Sequence, residues 1–336
     1  MSVRHSSNMS LLRTTIKITR IFGVFPLNVL PDGTLVFKWL SIPTVCLALT
    51  VFLYTLPTLD YAYAAYHAVK HADKSLSEQF VIYPTPLAMI ISDLVIHAGC
   101  ALQSSQISKL VRTLDRLSHC LLTAQKGREV HLVYVLLLLY VISSVFHLAI
   151  SSAVIHWGAT SLFFCPERCR GYYFISWLYY FADVVHDGVV GSAAGFVVIF
   201  GKRLVDTFNG LCITLRNYCL DKDVDVPRSV EHDHDSGKVG HVELFVRHIS
   251  ELQGCFEIYS SVAGMCILML LLEAYTMLFC VLGSTFIRDF GERTTVSHVW
   301  LITYIYMSLL MIVLLTETGH YMHNKVSKSQ WAWLCK

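Results

Sequence analysis

Charge is scarce in this chain. Only 15% of its 336 residues are Asp, Glu, Lys or Arg, against roughly 25% in an ordinary soluble domain. More than half are apolar, and they come in long uninterrupted blocks. A globular surface must be covered with polar side chains, and this composition cannot supply them. A bilayer removes that demand, because its interior is itself apolar. Other absences narrow the field further. There is no basic patch with interleaved aromatics, so nucleic acid is not an expected partner. No apolar signal-peptide core precedes the first block, because Arg13, Lys17 and Arg20 interrupt residues 1–38. There is no nucleophile elbow, no His-Glu-x-x-His and no Gly-rich phosphate loop, so no enzyme class is expected.

The apolar blocks define an all-α, polytopic bundle. A span needs about 20 mostly apolar residues, and six segments qualify: Trp39–Leu59, Val81–Gln103, Val130–Ile155, Tyr172–Phe200, Ile258–Leu282 and Val296–Leu315. The second carries Pro84, Pro86, Asp93 and His97, so it is expected to be kinked or enclosed by its neighbours. Orientation follows from the basic residues, which concentrate in cytoplasmic loops. Twenty of the 26 fall in residues 1–38, the loop after span two, the loop after span four and the tail. Each of the three alternate loops holds two: Lys70 and Lys74, Arg168 and Arg170, Arg288 and Arg293. Both termini are therefore expected in the cytosol, which argues against a G-protein-coupled receptor. The sequon Asn8-Met9-Ser10 would then stay unmodified.

The expected organisation is a cytoplasmic N-terminal segment (1–38), a six-span bundle (39–315) and a cytoplasmic tail (316–336). Helical spacing continues past span four through Leu204, Val205, Phe208, Leu211 and Leu215. It resumes before span five at Val242, Phe245, Val246, Ile249, Leu252 and Phe256. Between them, 221–240 is charged and broken by Pro and Gly, the composition of a disordered linker. Segment 201–257 thus reads as two helical extensions joined by a linker.

Ionisable residues inside spans mark functional sites by default, because each costs at least about 2.5 kcal/mol at the bilayer centre. Here they are Asp93, His97, His147, Asp183, His186, Asp187 and Glu273. In span four, Tyr173, Trp177, Tyr180, Phe181, Asp183, Val184 and Asp187 fall within an arc of about 160°. Lipid would penalise the carboxylates, so the arc faces inward. Two readings stand. One is a cavity with aromatic walls and carboxylates at its floor, suited to a small organic ligand. The other is a packing seam whose acids pair with histidines of neighbouring helices. Tyr83, Trp157, Trp300 and Tyr304 gather near outer span ends, as an interfacial belt or as further ligand contacts. Glu273 and His186 read as gating residues or as buried polar partners. Cys165 and Cys169 flank three residues in a short outer loop and form a tight but permitted disulfide pair. His232-Asp233-His234-Asp235 reads as a solvated polar run, and no metal or other cofactor is expected. A six-helix haem carrier would use His97, His147, His156 and His186, but it needs pairs facing each other across two helices. A small transporter would need an internal repeat, and residues 39–155 show none with 172–315.

The pattern resembles the insect gustatory receptors, a seven-helix chemoreceptor family with a cytoplasmic N-terminus. Ile21-Phe22-Gly23-Val24-Phe25-Pro26-Leu27 resembles the family's Phe-Gly-x-x-Pro entry. The run from Phe181 to Leu211 resembles its fourth helix, with Asn209 near the end. The stretch from His241 to Leu270 resembles the long approach to its fifth span. Glu317-Thr318-Gly319-His320 resembles the acidic helical stretch after its sixth. The resemblance covers about residues 15–326. It implies a plasma-membrane taste receptor that detects a small-molecule tastant, assembled as a homo- or hetero-tetrameric, ligand-gated cation channel. Trp177, Tyr180, Phe181, Asp183, Asp187 and Tyr304 are then the expected ligand contacts. One signature departs. The family's seventh helix reads Thr-Tyr, five apolar residues, then Gln-Phe. Thr303-Tyr304 opens such a phrase, but Leu310-Met311 stand in place of Gln-Phe and the pair lies in span six. The expectation is a chain lacking its pore helix, through a truncated gene model, a splice variant or a partial clone.

Overall fold

A computed structural model of the protein describes residues 15–29, 35–38, 40–53, 66, 84–121, 132–156, 173–220, 237–287 and 295–334. Among the described residues the fold is all-α apart from one small hairpin. In chain order the helices are α1 (Ile42–Leu53), α2 (Pro84–Leu102), α3 (Ser104–Leu121), α4 (Leu132–His156), α5 (Tyr173–Leu220), α6 (Gly237–Ile287) and α7 (Thr295–Leu334). The hairpin pairs β1 (Leu27–Val29) with β2 (Leu35–Phe37), antiparallel, with Leu27 opposite Phe37.

Among the described residues, α4 to α7 each contain a stretch long and apolar enough to cross a membrane, and the bent pair α2–α3 makes a fifth if counted as one span. The expected first span is described only as the 12-residue α1, and the rest of Trp39–Leu59 lies largely outside the described residues. The exposed side chains are those lipid would solvate. On α4, Leu138, Val141, Ile142, Val145 and Phe146 face outward. Its buried face carries Tyr140, Ser144, His147 and Ser151, at spacings that follow one helical stripe. Apolar outside and polar inside inverts the order of a water-soluble helix.

The second span resolves differently from either expectation taken alone. Pro84 and Pro86 sit in the first turn of α2, where a missing N–H breaks no helical bond. The break comes later, at Gln103, where the chain turns by 66° into α3. The composition changes there. α3 buries Ile107, Leu110, Val111, Leu114 and Leu117 while Lys109, Arg112 and Arg116 stay exposed. That is the single apolar stripe of a helix lying on a bundle beside water. Asp93 and His97 are indeed enclosed.

α5 is the central helix. Two thirds of its apolar window is buried, against 17% for α4, and it packs on α2, α3, α4, α6 and α7. Its buried small residues Ser192, Ala193 and Ala194 suit close packing of neighbouring elements, and Gly188 is met by the N-terminal segment. Phe22 lies so near Gly188 that an added Cβ would stand 2.1 Å from its ring. The N-terminal segment is therefore docked against the bundle. The Phe25 and Phe196 rings lie 5.1 Å apart and the Phe196 and Phe200 rings 4.4 Å apart, both pairs tilted.

At 1.5 Å per residue, α5 (48 residues) and α6 (51 residues) run about 72–77 Å, more than twice a hydrocarbon core of about 30 Å. The helical extensions expected at 201–220 and before span five are present. Residues 221–236 of the expected linker lie outside the described residues, and Gly237–Gly240 are helical. The tail is helical as well, since α7 continues from the sixth apolar block to Leu334. Tyr259 on α6 donates a 2.7 Å hydrogen bond to the carbonyl oxygen of Val197 on α5. Tyr259→Phe is expected to lower unfolding free energy by about 1 kcal/mol. An unchanged thermal midpoint in detergent would remove this bond from the account.

Candidate functional site

Three ionisable residues lie within five positions of α5: Asp183, His186 and Asp187. Neighbouring positions on a helix diverge by about 100°, so His186 and Asp187 address different partners. His186 points toward α2 and α6. Its Nδ1 lies 2.8 Å from Asp93 Oδ2, and its Nε2 lies 3.0 Å from Glu273 Oε1. Asp187 points toward α4, where His147 Nδ1 lies 3.2 Å from its Oδ2. His147 also has Ser151 Oγ at 3.4 Å from Nε2 and meets the Tyr304 ring of α7 edge-on at 4.4 Å. Five helices thus contribute polar groups to one level of the bundle, and Tyr304, expected near an outer span end, is instead buried at that level against His147.

Burial sets the electrostatics. Asp93 is fully enclosed, and Asp183, His186, Asp187, Glu273 and His147 are each under 10% exposed. Four carboxylates face two imidazoles. Even with both imidazoles protonated, the ionised cluster would carry two excess negative charges. Removing such charge from water is costly unless protons or a cation compensate. Within the Asp93–His186–Glu273 triad, two protons occupy the two hydrogen bonds, leaving one net negative charge wherever each proton sits. Asp93 Oδ1, Glu273 Oε2 and Asp183 Oδ1 are buried with no hydrogen-bond partner.

A cavity of about 30 Å³ opens beside the triad. Tyr140 of α4, His186 and Asp187 of α5, Glu273 and Met277 of α6, and Tyr304, Met307, Ser308 and Met311 of α7 line it. It has room for about one or two waters.

The structure brings together Asp183, His186, Asp187, Glu273 and Tyr304 of the residues expected from sequence. Phe181 departs from them: it is 54% exposed on the outer face of α5. The arc was wide enough to include a position at its edge, and an aromatic ring suits lipid where a carboxylate does not. Tyr180 is half-buried, with its ring 6.1 Å from that of Phe181. Trp177 lies on α5, but its side chain falls outside the described residues, as do Cys165 and Cys169 entirely. The acid–histidine pairing is what the packing-seam reading anticipates. Of the histidines weighed as haem ligands, His147 and His186 turn ring nitrogens toward carboxylates, and His97 sits beside the backbone oxygens of Asp93 (2.7 Å) and Phe22 (3.0 Å). Tyr140 was not anticipated. Its signal was the 4-3-4 spacing of Tyr140, Ser144, His147 and Ser151 in an otherwise apolar helix.

No protein-family model matches the chain, and no curated protein matches it significantly.

Proposed function

We propose that this chain is a chemoreceptor subunit of the insect gustatory type, responding to a small-molecule tastant at the plasma membrane. The observation that carries the reading is the polar cavity itself: apolar-faced helices converge on Tyr140, Asp187, Glu273 and Tyr304 within the bundle. The long α5 and α6, joined at the same end, accord with the expected projection into the cytosol. The finer topology belongs to the same proposal: six spans with α1 within the first, the N-terminus in the cytosol, and assembly as a tetrameric channel.

A drug-sized ligand needs about 300 Å³ or more, far beyond the cavity's about 30 Å³. Binding must therefore part α5 from α7, and that movement couples occupancy to the bundle as a population shift. The test is ligand-dependent thermal stabilisation of the purified chain in detergent, using sugars, amino acids, bitter alkaloids and bicarbonate. At least one compound is expected to raise the unfolding midpoint. Tyr140→Phe and Tyr304→Phe, at two walls of the cavity, are expected to weaken that compound's apparent affinity about tenfold or more, with the unliganded midpoint little changed. Equal loss of both quantities would assign these side chains to packing alone.

A second reading, a small-solute transporter, draws on the Asp93–His186–Glu273 relay near the midplane, where proton and coupling-ion sites of transporters lie. Saturable uptake of the stabilising compound into proteoliposomes would favour it over the receptor.

A further inference from the structure

We propose that Asp93, His186 and Glu273 form a binding site for one divalent transition-metal ion of the zinc class. The inference does not depend on what the protein senses. One residue comes from each of α2, α5 and α6, and their ligand atoms lie within 4.8 Å of one another. Zinc holds donors about 2.0–2.2 Å away, which places tetrahedral donors roughly 3.3 Å apart. Asp93 and Glu273 meet opposite ring nitrogens of His186, so closing the three residues onto one ion requires one carboxylate to give up its imidazole hydrogen bond and turn toward the metallated nitrogen. One nitrogen and two carboxylates suit zinc-class ions, whereas magnesium and calcium favour all-oxygen shells.

Two independent features point to a cation. Asp93 Oδ1 and Glu273 Oε2 are buried acceptors without partners, in a cluster already short of positive charge. The charge balance also closes. With two protons the triad carries one net negative charge. A divalent ion displaces the proton from one ring nitrogen of His186, and that proton leaves to solvent. The product is one dication, two carboxylates and one neutral imidazole, with no net charge. Neutrality is the state a low-dielectric interior favours. The adjoining cavity, bordered by His186 and Glu273, leaves room for a water as fourth ligand.

The experiment loads the purified full chain with zinc sulfate, strips weakly held metal by desalting, and counts zinc per chain by mass spectrometry. One zinc per chain is expected in the wild type. Glu273→Gln should lower the retained zinc about tenfold or more, while the double variant His232→Ala/His234→Ala, which removes the linker histidines, should retain it. A wild type that keeps no zinc, or a Glu273→Gln variant that keeps as much as wild type, overturns the site. Should Glu273→Gln fail to give a monodisperse protein, X-ray absorption at the zinc edge of the wild type decides. A shell of nitrogen and oxygen donors at about 2.0–2.2 Å supports the assignment, and sulfur in the shell overturns it.

Discussion

His186→Ala is expected to lower the unfolding free energy by about 3–5 kcal/mol, the cost of leaving buried charges without their partner. Among the described residues, the His186 imidazole meets both Asp93 and Glu273. Its loss leaves two enclosed carboxylates facing each other across a void, on helices α2 and α6. The expected observations are a depressed thermal midpoint in detergent and a loss of monodisperse protein. A companion variant separates pairing from bulk. Asp93→Leu/His186→Leu/Glu273→Met removes all three ionisable groups at once and keeps much of their volume. Replacing a whole buried ionic cluster by apolar side chains is often neutral or stabilising, so the triple variant should return close to wild-type stability. If His186→Ala melts with the wild type, the triad contributes no pairing energy and the cluster is not the structural centre of the bundle.

Gly23→Val is expected to cost on the order of 3 kcal/mol, from two separate causes. Gly23 adopts φ of +72°, the left-handed conformation that closes the turn Arg20–Phe22. Branched side chains avoid it because Cβ crowds the backbone. A Cβ at this position would also stand 2.7 Å from the Leu47 Cα of α1. That obstacle is main chain, so no rotamer change relieves it. The consequence reaches the site, because the turn holds Phe22 against Gly188 and presents the Phe22 carbonyl to His97. Gly254→Ala serves as the control. Nothing lies within 4 Å of its added Cβ, and Ala favours a helix interior over Gly by about 1 kcal/mol. Equal midpoints for Gly23→Val and Gly254→Ala would show that the N-terminal turn is not docked as described.

Legibility differed by element. α4 to α7 were plain in the sequence, because an apolar run of span length has few soluble alternatives. The extensions of α5 and α6 were legible from apolar residues returning every third or fourth position beyond the spans. The second span was not, since its prolines drew attention to its start while the bend fell at Gln103, where composition turns from apolar to amphipathic. The docking of the N-terminal segment was invisible too. Nothing in Phe22 or Phe25 states which groove will receive it, and the groove exists only once Gly188 and its small neighbours are packed.

The sequence by itself determined that the chain carries long apolar helices suited to a membrane and that Asp183 and Asp187 turn inward. Both follow from the cost of placing each side chain in hydrocarbon, a property of the residue's own chemistry and of the helical period. Tertiary structure alone decided the pairings. Asp93 and His186 are 93 residues apart, and their meeting depends on the relative depth and rotation of α2 and α5, which no local pattern encodes. It also decided that four of the groups the sequence singled out, His186, Asp187, Glu273 and Tyr304, line a cavity of about 30 Å³ rather than an open ligand chamber. That outcome follows from how closely α4, α5, α6 and α7 pack at the level of these side chains, which depends on the rotation and depth of whole helices.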